Sequence, residues 1–452
     1  MWRQQVERFL ERNLAPLLVF LVIASLQGAY YMEAVGPLSM PDPDLHATTS
    51  YAVATGQAFN PTTTKTDEHG NTVKVQHLTG DSRFLENEAF RNILVSSVLD
   101  KPFTRDKHIG LQQGADRETP RMVTIPNVHV RNRSNQYFPI AYLPQGLGLA
   151  LGMHGGHSPY ECWQMARQTN LIMFLILFSL AIALTPRAKF LVVLVGALPQ
   201  VAFISSSLMA DATYIGVSAC FVGMLLHLAD KKSSARWWEL TALIALIVLL
   251  FFCKVVYVLE ALLVLVLPSA VVSWKRKGLV VGLSVLLGVV PYVLWHNRFG
   301  GMLARVNVAD NIGFMIHYPV RVLKIILWNV LQLPQTLGDV PASSSVAVAA
   351  MALGWVLVMA CTSKIERPDS MLGWLSAYRY SIVAVAAALL ATMLIYLSLM
   401  ATWMNMPKLP LTGEIEGFQG RYLLPLLPLL LCSTAVSSVP TATLSTGTGM
   451  KG

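Results

Sequence analysis

Runs of about twenty apolar residues recur along this chain, each long enough to cross a hydrocarbon core ~30 Å thick. Only 13% of the 452 residues are charged and 54% are hydrophobic, roughly half the charged share of a soluble protein. A chain of this kind satisfies its backbone polar groups in lipid by forming helices, so the reading is an all-α polytopic membrane protein. The first apolar run is too long, and lacks the small-residue cleavage site, for a removed signal peptide. The net charge of +9 comes from Lys and Arg that punctuate the apolar runs and form no single patch. This suits basic loops beside anionic lipid and excludes nucleic acid as a partner. Cys162, Cys220, Cys253, Cys361 and Cys432 have neither CxxC nor metal-ligand spacing and read as small core hydrophobes.

Three parts follow from the pattern. Residues 1–13 carry Arg3, Arg8 and Arg12 and are placed in the cytoplasm. Residues 14–438 form the membrane domain, and the Ser/Thr/Gly-rich tail 439–452 is disordered. Spans are expected at about 14–32, 168–185, 190–206, 210–229, 239–253, 254–271, 279–296, 343–361, 380–401 and 421–438. These are ten crossings, with a large outer loop at 33–165 that contains surface helices. The connections Thr185–Lys189, Asp230–Arg236 and Ser273–Lys277, and the stretch holding Lys364, Arg367 and Arg379, are basic and fall on one side. The positive-inside rule makes that side cytoplasmic and puts both chain ends there. The threading requires Tyr318–Val340, with Arg321 and Lys324, to lie outside as a surface helix. The spans at 239–253 and 254–271 are short, and one tilted helix with a re-entrant piece is the alternative.

With that threading, unusual polar residues collect on the outer side. Just past the first span, Met40-Pro-Asp-Pro-Asp-Leu-His46 holds two carboxylates and an imidazole where no apolar pattern needs them. Pro41 and Pro43 stiffen the loop, and Leu45 starts a helix. Two readings stay open: Asp44 caps the helix 45–56, or Asp42 and Asp44 do chemistry at the membrane surface. His46 lies one helical turn beyond Asp42. Lys254 opens an apolar run, and Arg421 stands between Gln419 and Tyr422 before the last span. Such cations either snorkel to the interface or meet a lipid phosphate. Asp211 is either a functional intramembrane acid or a wetted helix end. Tyr137 and Tyr142 precede Gly146, Gly148 and Gly152, a spacing that serves close helix packing. The two aromatics either stack on a sugar or anchor at the interface.

The ordered set of these motifs is similar to a known family. It comprises Pro41–His46, the stretch Tyr137-Phe-Pro-Ile-Ala-Tyr-Leu-Pro-Gln-Gly-Leu-Gly-Leu-Ala-Leu-Gly152, Arg167-Gln-Thr-Asn170, Ser207-Leu-Met-Ala-Asp211, Lys254-Val-Val-Tyr257 and Gln419-Gly-Arg-Tyr-Leu-Leu-Pro425. Together they resemble the bacterial membrane proteins grouped as domain of unknown function 2142, which look like C-type (GT-C) glycosyltransferases. Where that family reads Pro-Asp-Glu-Pro-x-His, this chain has Pro43 in place of the Glu and Asp44 one position later. This leaves open whether Asp42 works alone or with Asp44. The resemblance implies transfer of a sugar from a polyprenyl-phosphate or diphosphate donor to an envelope glycan, lipid-linked saccharide or protein, on the outer face of a bacterial cytoplasmic membrane. It implies Asp42, Asp44 and His46 as catalytic residues, in some such enzymes with a divalent cation (Mg2+ or Mn2+). Lys254, Arg421, Gln419, Tyr422, Asp211, Tyr137 and Tyr142 would contact substrate. The competing expectation is a flippase, transporter or assembly partner for lipid-linked precursors. A transporter would place polar groups at mid-membrane and on both faces.

Overall fold

The computed structural model describes residues 2–38, 40–85, 128–132, 135–187, 189–301, 304–332, 375 and 378–430, and its architecture is mainly helical. Among these residues, five helices are long and apolar enough to cross a membrane. They are α1 (Trp2–Ala34), α4 (Pro159–Leu184), α7 (Asp211–Ala229), α9 (Trp274–Arg298) and α12 (Arg379–Thr402). α1 and α9 present Leu18, Val22, Leu26, Leu286, Val290 and Leu294 outward. An apolar outer surface of this kind is what lipid requires of a bundle. Phe20 turns inward, stacks on Phe178 and packs at a tilt against Phe174, both of α4.

The expected crossings at 190–206, 239–253 and 254–271 are not single long helices. The first breaks at Pro199 into α5 (Lys189–Gly196) and α6 (Pro199–Ser205). The next two are α8 (Trp237–Cys253) and a 3-10 helix, Val255–Val266. They meet at Lys254, whose φ of −161° interrupts the helix, and run back along each other as a hairpin. The hairpin's open end is closed where Ala235 N donates to Val271 O and Arg276 reaches Ala235 O. The stretch expected as one surface helix at 318–340 is the second half of a pair, α10 (Val308–His317) and α11 (Pro319–Leu331), bent by 99° at Tyr318. Arg321 and Asn329 of α11 bond Leu409 O and Gly413 O, so this pair packs at the carboxyl end of α12. The expected span 343–361 and the tail lie outside the described residues, and only the start of the last span, Gly420–Leu430, lies within them.

The loop after α1 holds helices, as expected, but it also holds strands, which corrects the all-α reading. A three-stranded antiparallel sheet runs β1 (Thr62–Thr66), β2 (Thr72–Gly80), β3 (Val128–Asn132) in that spatial order. β-Branched Thr and Val favour extended chain; Val73 and Val75 are buried on one face of β2, and Gln76 and Leu78 on the other. The β1–β2 turn uses Gly70 at φ 80°, with Asp67 Oδ1 accepting from the backbone of His69 and Asn71. Thr62 and Lys74 bond the last carbonyls of α9, at Arg298 and Asn297, which docks the sheet on that end of the bundle.

Side-chain contacts order the two ends of the bundle. One end gathers Arg12 on Pro186 O, the Arg187–Asp230 pair, Lys231 on Glu239, and Arg276 on Ser234. Trp237, Trp238 and Trp274 are exposed at the same level, as interfacial aromatics are. The other end carries the sheet, helix α2 (Pro43–Ala54), α3 (Leu143–His154) and the tip of the hairpin at Lys254. α7 runs between the two, and its 19 residues span about 28 Å.

Candidate functional site

Five separate parts of the chain converge at the sheet end. α2 begins at Pro43, so Asp42 is its N-cap residue and Asp44 lies in its first turn, a start two residues earlier than Leu45. Asp42 takes φ 54° and ψ 48°, the only non-glycine residue with positive φ among those described, and its side chain does not cap the helix. Instead, Asp42 Oδ2 accepts from Arg421 Nη2 at 2.6 Å and from Gln419 Nε2 at 3.1 Å. Arg421 opens a short 3-10 turn, Gly420–Leu426, and is buried. Its Nη1 reaches His46 Nε2 at 3.2 Å and Met209 Sδ at 2.9 Å, and lies 3.8 Å from Asp211 Oδ2.

Proton bookkeeping fixes the state of His46. A guanidinium only donates, so Nε2 accepts, and the ring hydrogen is on Nδ1, directed at Tyr142 Oη 3.0 Å away. This tautomer is assigned by the network. Burial first, and the Arg421 charge second, hold the His46 pKa well below its ordinary 6.5. The imidazole is therefore neutral and orients Arg421.

Asp211 is the first residue of α7 and only 4% exposed, so it is not a wetted helix end. A carboxylate suits the positive end of the helix and here also faces Arg421. The segment before it is held from three directions. Arg167 Nε donates to Ser206 O at 2.6 Å, Asn170 reaches Ser207 O at 2.9 Å, and Gln145 reaches Met209 O at 3.2 Å. Arg167 also takes the carbonyls of Tyr31, Met32 and Val35, tying the end of α1 into the same joint. The motifs around Gln145 and Arg167–Asn170 thus set the position of Asp211.

Lys254, at the hairpin tip, places Nζ 3.7 Å from the centroid of the Tyr422 ring, and Tyr257 Oη donates to Tyr422 O at 2.9 Å. It neither snorkels nor pairs with a carboxylate among the described residues. Tyr137 is half-buried beside this group. Burial, with Tyr422 and Asp211 nearby, pushes its phenol up, so it keeps its proton. Of the ten residues singled out from sequence, nine meet here, and the side chain of Asp44 lies outside what the structure describes. Sequence reasoning missed Met209, which contacts Arg421, although it lies inside the Ser207–Asp211 motif.

The site has both filled and unfilled valences. Asp42 is a third exposed, and among the described residues only its Oδ2 is held. Arg421 Nε and Gln419 Oε1 are buried without a hydrogen-bond partner among those residues. Buried polar atoms normally find partners. A charged acceptor and a donor brought to this site would satisfy both.

These features define a helical membrane protein with a carboxylate–guanidinium site at one end of its bundle. The chain belongs to the family of predicted membrane proteins called domain of unknown function 2142, which it matches over residues 26–430. No curated protein and no solved structure matches it.

Proposed function

We propose that the protein is a membrane glycosyltransferase using a polyprenyl-phosphate-linked sugar at the outer face of a bacterial cytoplasmic membrane. The supporting observation is the contact between Asp42 and Arg421, 379 residues apart in sequence and 2.6 Å apart in space. It joins a partly exposed carboxylate to a buried cation at one end of the helical bundle. The donor phosphate would be bound by Arg421, through its unpartnered Nε, and by Lys254. The phosphate oxygens compete with Asp42 for the guanidinium, so donor binding frees the carboxylate to act as base. The acceptor hydroxyl oxygen then attacks the anomeric carbon, and the bond from that carbon to the phosphate oxygen breaks. The bonding pair leaves with the phosphate, while the hydroxyl proton passes to Asp42. Negative charge growing on the phosphate is met by Arg421 and Lys254.

His46 and Asp211 position Arg421, Gln419 orients Asp42, and Tyr137, Tyr142 and Tyr422 surround the pair. Asp44, in the first turn of α2, is the second acid of the proposal. The geometry does not suit a divalent cation between Asp42 and His46, because Arg421 occupies that space and both imidazole nitrogens are engaged. No step above uses one. The proposed acceptors are envelope glycans, lipid-linked saccharides or proteins. The proposed orientation takes the basic end of the bundle as cytoplasmic, by the positive-inside rule.

The test is transfer of radiolabelled sugar from polyprenyl-phosphate donors to crude envelope acceptor by purified protein in lipid. Asp42→Asn should lower transfer by about 100-fold or more, the usual contribution of a general base. Unchanged transfer by Asp42→Asn would remove Asp42 from the chemistry. Donor binding without any transfer by wild type would favour the carrier or assembly-partner reading.

A further inference from the structure

Glu260 lies six residues beyond Lys254, two turns along the 3-10 helix and hence on the same face. It is 1% exposed in a run that is otherwise apolar apart from Tyr257. Its oxygens stand 3.1 and 2.9 Å from Ser218 Oγ, which itself stands 2.5 Å from Pro425 O. A serine hydroxyl has one hydrogen. If Glu260 were ionised, that hydrogen would have to serve both the carboxylate and the carbonyl, and one close oxygen–oxygen contact would lack a proton. Among the described residues no cation pairs with Glu260, and a buried charge without a partner is costly. One extra proton, on a Glu260 oxygen, puts a hydrogen in both the Glu260–Ser218 and the Ser218–Pro425 contacts.

The three elements that meet at Glu260 also form the candidate site. α7 carries Asp211 and, seven residues on and on the same face, Ser218. The 3-10 helix carries Lys254 at its start and Glu260 within it. The turn Gly420–Leu426 carries Arg421 and Pro425. Between the two layers, Tyr257 bonds Tyr422 O and packs on Tyr214. We infer that Glu260 is a proton-bearing positioning residue, whose carboxylic acid donates to Ser218, which donates to Pro425 O. This chain fixes the register of the three elements that present Asp211, Lys254 and Arg421. The role of Asp211, Lys254 and Arg421 rests on the function proposed above, whereas the proton on Glu260 does not.

The test compares wild type, Glu260→Gln and Glu260→Leu in lipid nanodiscs. At neutral pH, the infrared difference between wild type and Glu260→Gln should contain the carbonyl band of a protonated carboxylic acid. Its absence overturns the inference. With polyprenyl monophosphate as probe, Glu260→Gln, which still donates from a neutral group, should bind within a few-fold of wild type. Glu260→Leu should bind roughly tenfold more weakly, the scale of one lost buried hydrogen bond. Equal damage in the two variants, with both folded, also overturns it. Wild type that shows the band yet binds no polyprenyl phosphate overturns the donor reading and leaves the protonated Glu260 standing.

Discussion

Asp42 holds a left-handed backbone immediately before Pro43, where sterics disfavour it, a strain of about 1–3 kcal/mol. The conformation aims its carboxylate away from the helix it begins and toward Arg421. That pair depends on His46, and His46 makes stability depend on pH. Its folded pKa lies below 6.5, so the unfolded chain binds the extra proton first as pH falls. The contribution is fully present above 6.5 and is lost as pH drops toward the folded value. In nanodiscs the melting temperature of wild type should fall on acidification more steeply than that of His46→Gln, which keeps an acceptor for Arg421 but cannot titrate. Equal slopes would mean that the imidazole is not buried neutral. The members of this site were legible in sequence because each is a polar residue stranded beside apolar chain. Their wiring was not. Nothing local says that Arg421 reaches across 375 positions to His46, or that His46 orients a cation instead of taking a proton. Glu260 escaped notice because a lone acid has no local partner; Ser218 lies 42 positions away.

At the scale of elements, the glycines after Tyr142 are spacers between helices. A Cβ on Gly148 would lie 2.3 Å from Met165 O in α4, and one on Gly146 would lie 2.4 Å from Val53 in α2. Val53 can turn aside, but a backbone carbonyl in α4 cannot. Gly148→Ala should therefore destabilise by about 1–3 kcal/mol, as overpacking does, and Gly146→Ala by less. Thermal unfolding in nanodiscs reads both, and the opposite ranking would show that α3 and α4 are not in contact there. The packing role of these glycines was expected from their spacing, and the long apolar helices from their length. The sheet was overlooked although its signal is present. Thr62-Thr-Thr-Lys-Thr66 and Thr72-Val-Lys-Val75 are rich in β-branched residues and flank Asp67–Asn71, with glycine at the turn. A chain dominated by membrane helices draws attention away from a short polar hairpin. The break at Lys254 was half legible: two short apolar runs were recognised, but apolar periodicity does not separate a 3-10 hairpin from a tilted helix.

For the whole molecule, the division of charge between the two ends links fold to function. Basic side chains cluster where Arg187 meets Asp230 and Lys231 meets Glu239, beside exposed Trp237 and Trp274. The carboxylate–guanidinium site lies at the far end of α7 and of the α8 hairpin, about one hydrocarbon thickness away. Under the positive-inside rule the basic end would be cytoplasmic, and the proposed function then requires the site to face out. Single cysteines in a cysteine-free background test this directly. Glu68→Cys places the probe on the exposed β1–β2 turn, and Lys232→Cys places it in the exposed basic connection before α8. A membrane-impermeant maleimide added to intact cells should label the first, and label the second only after lysis. The reverse pattern would turn Asp42 and Arg421 toward the cytoplasm. A donor flipped to the outer leaflet would then be out of reach, and the chemistry would need a sugar supplied from inside.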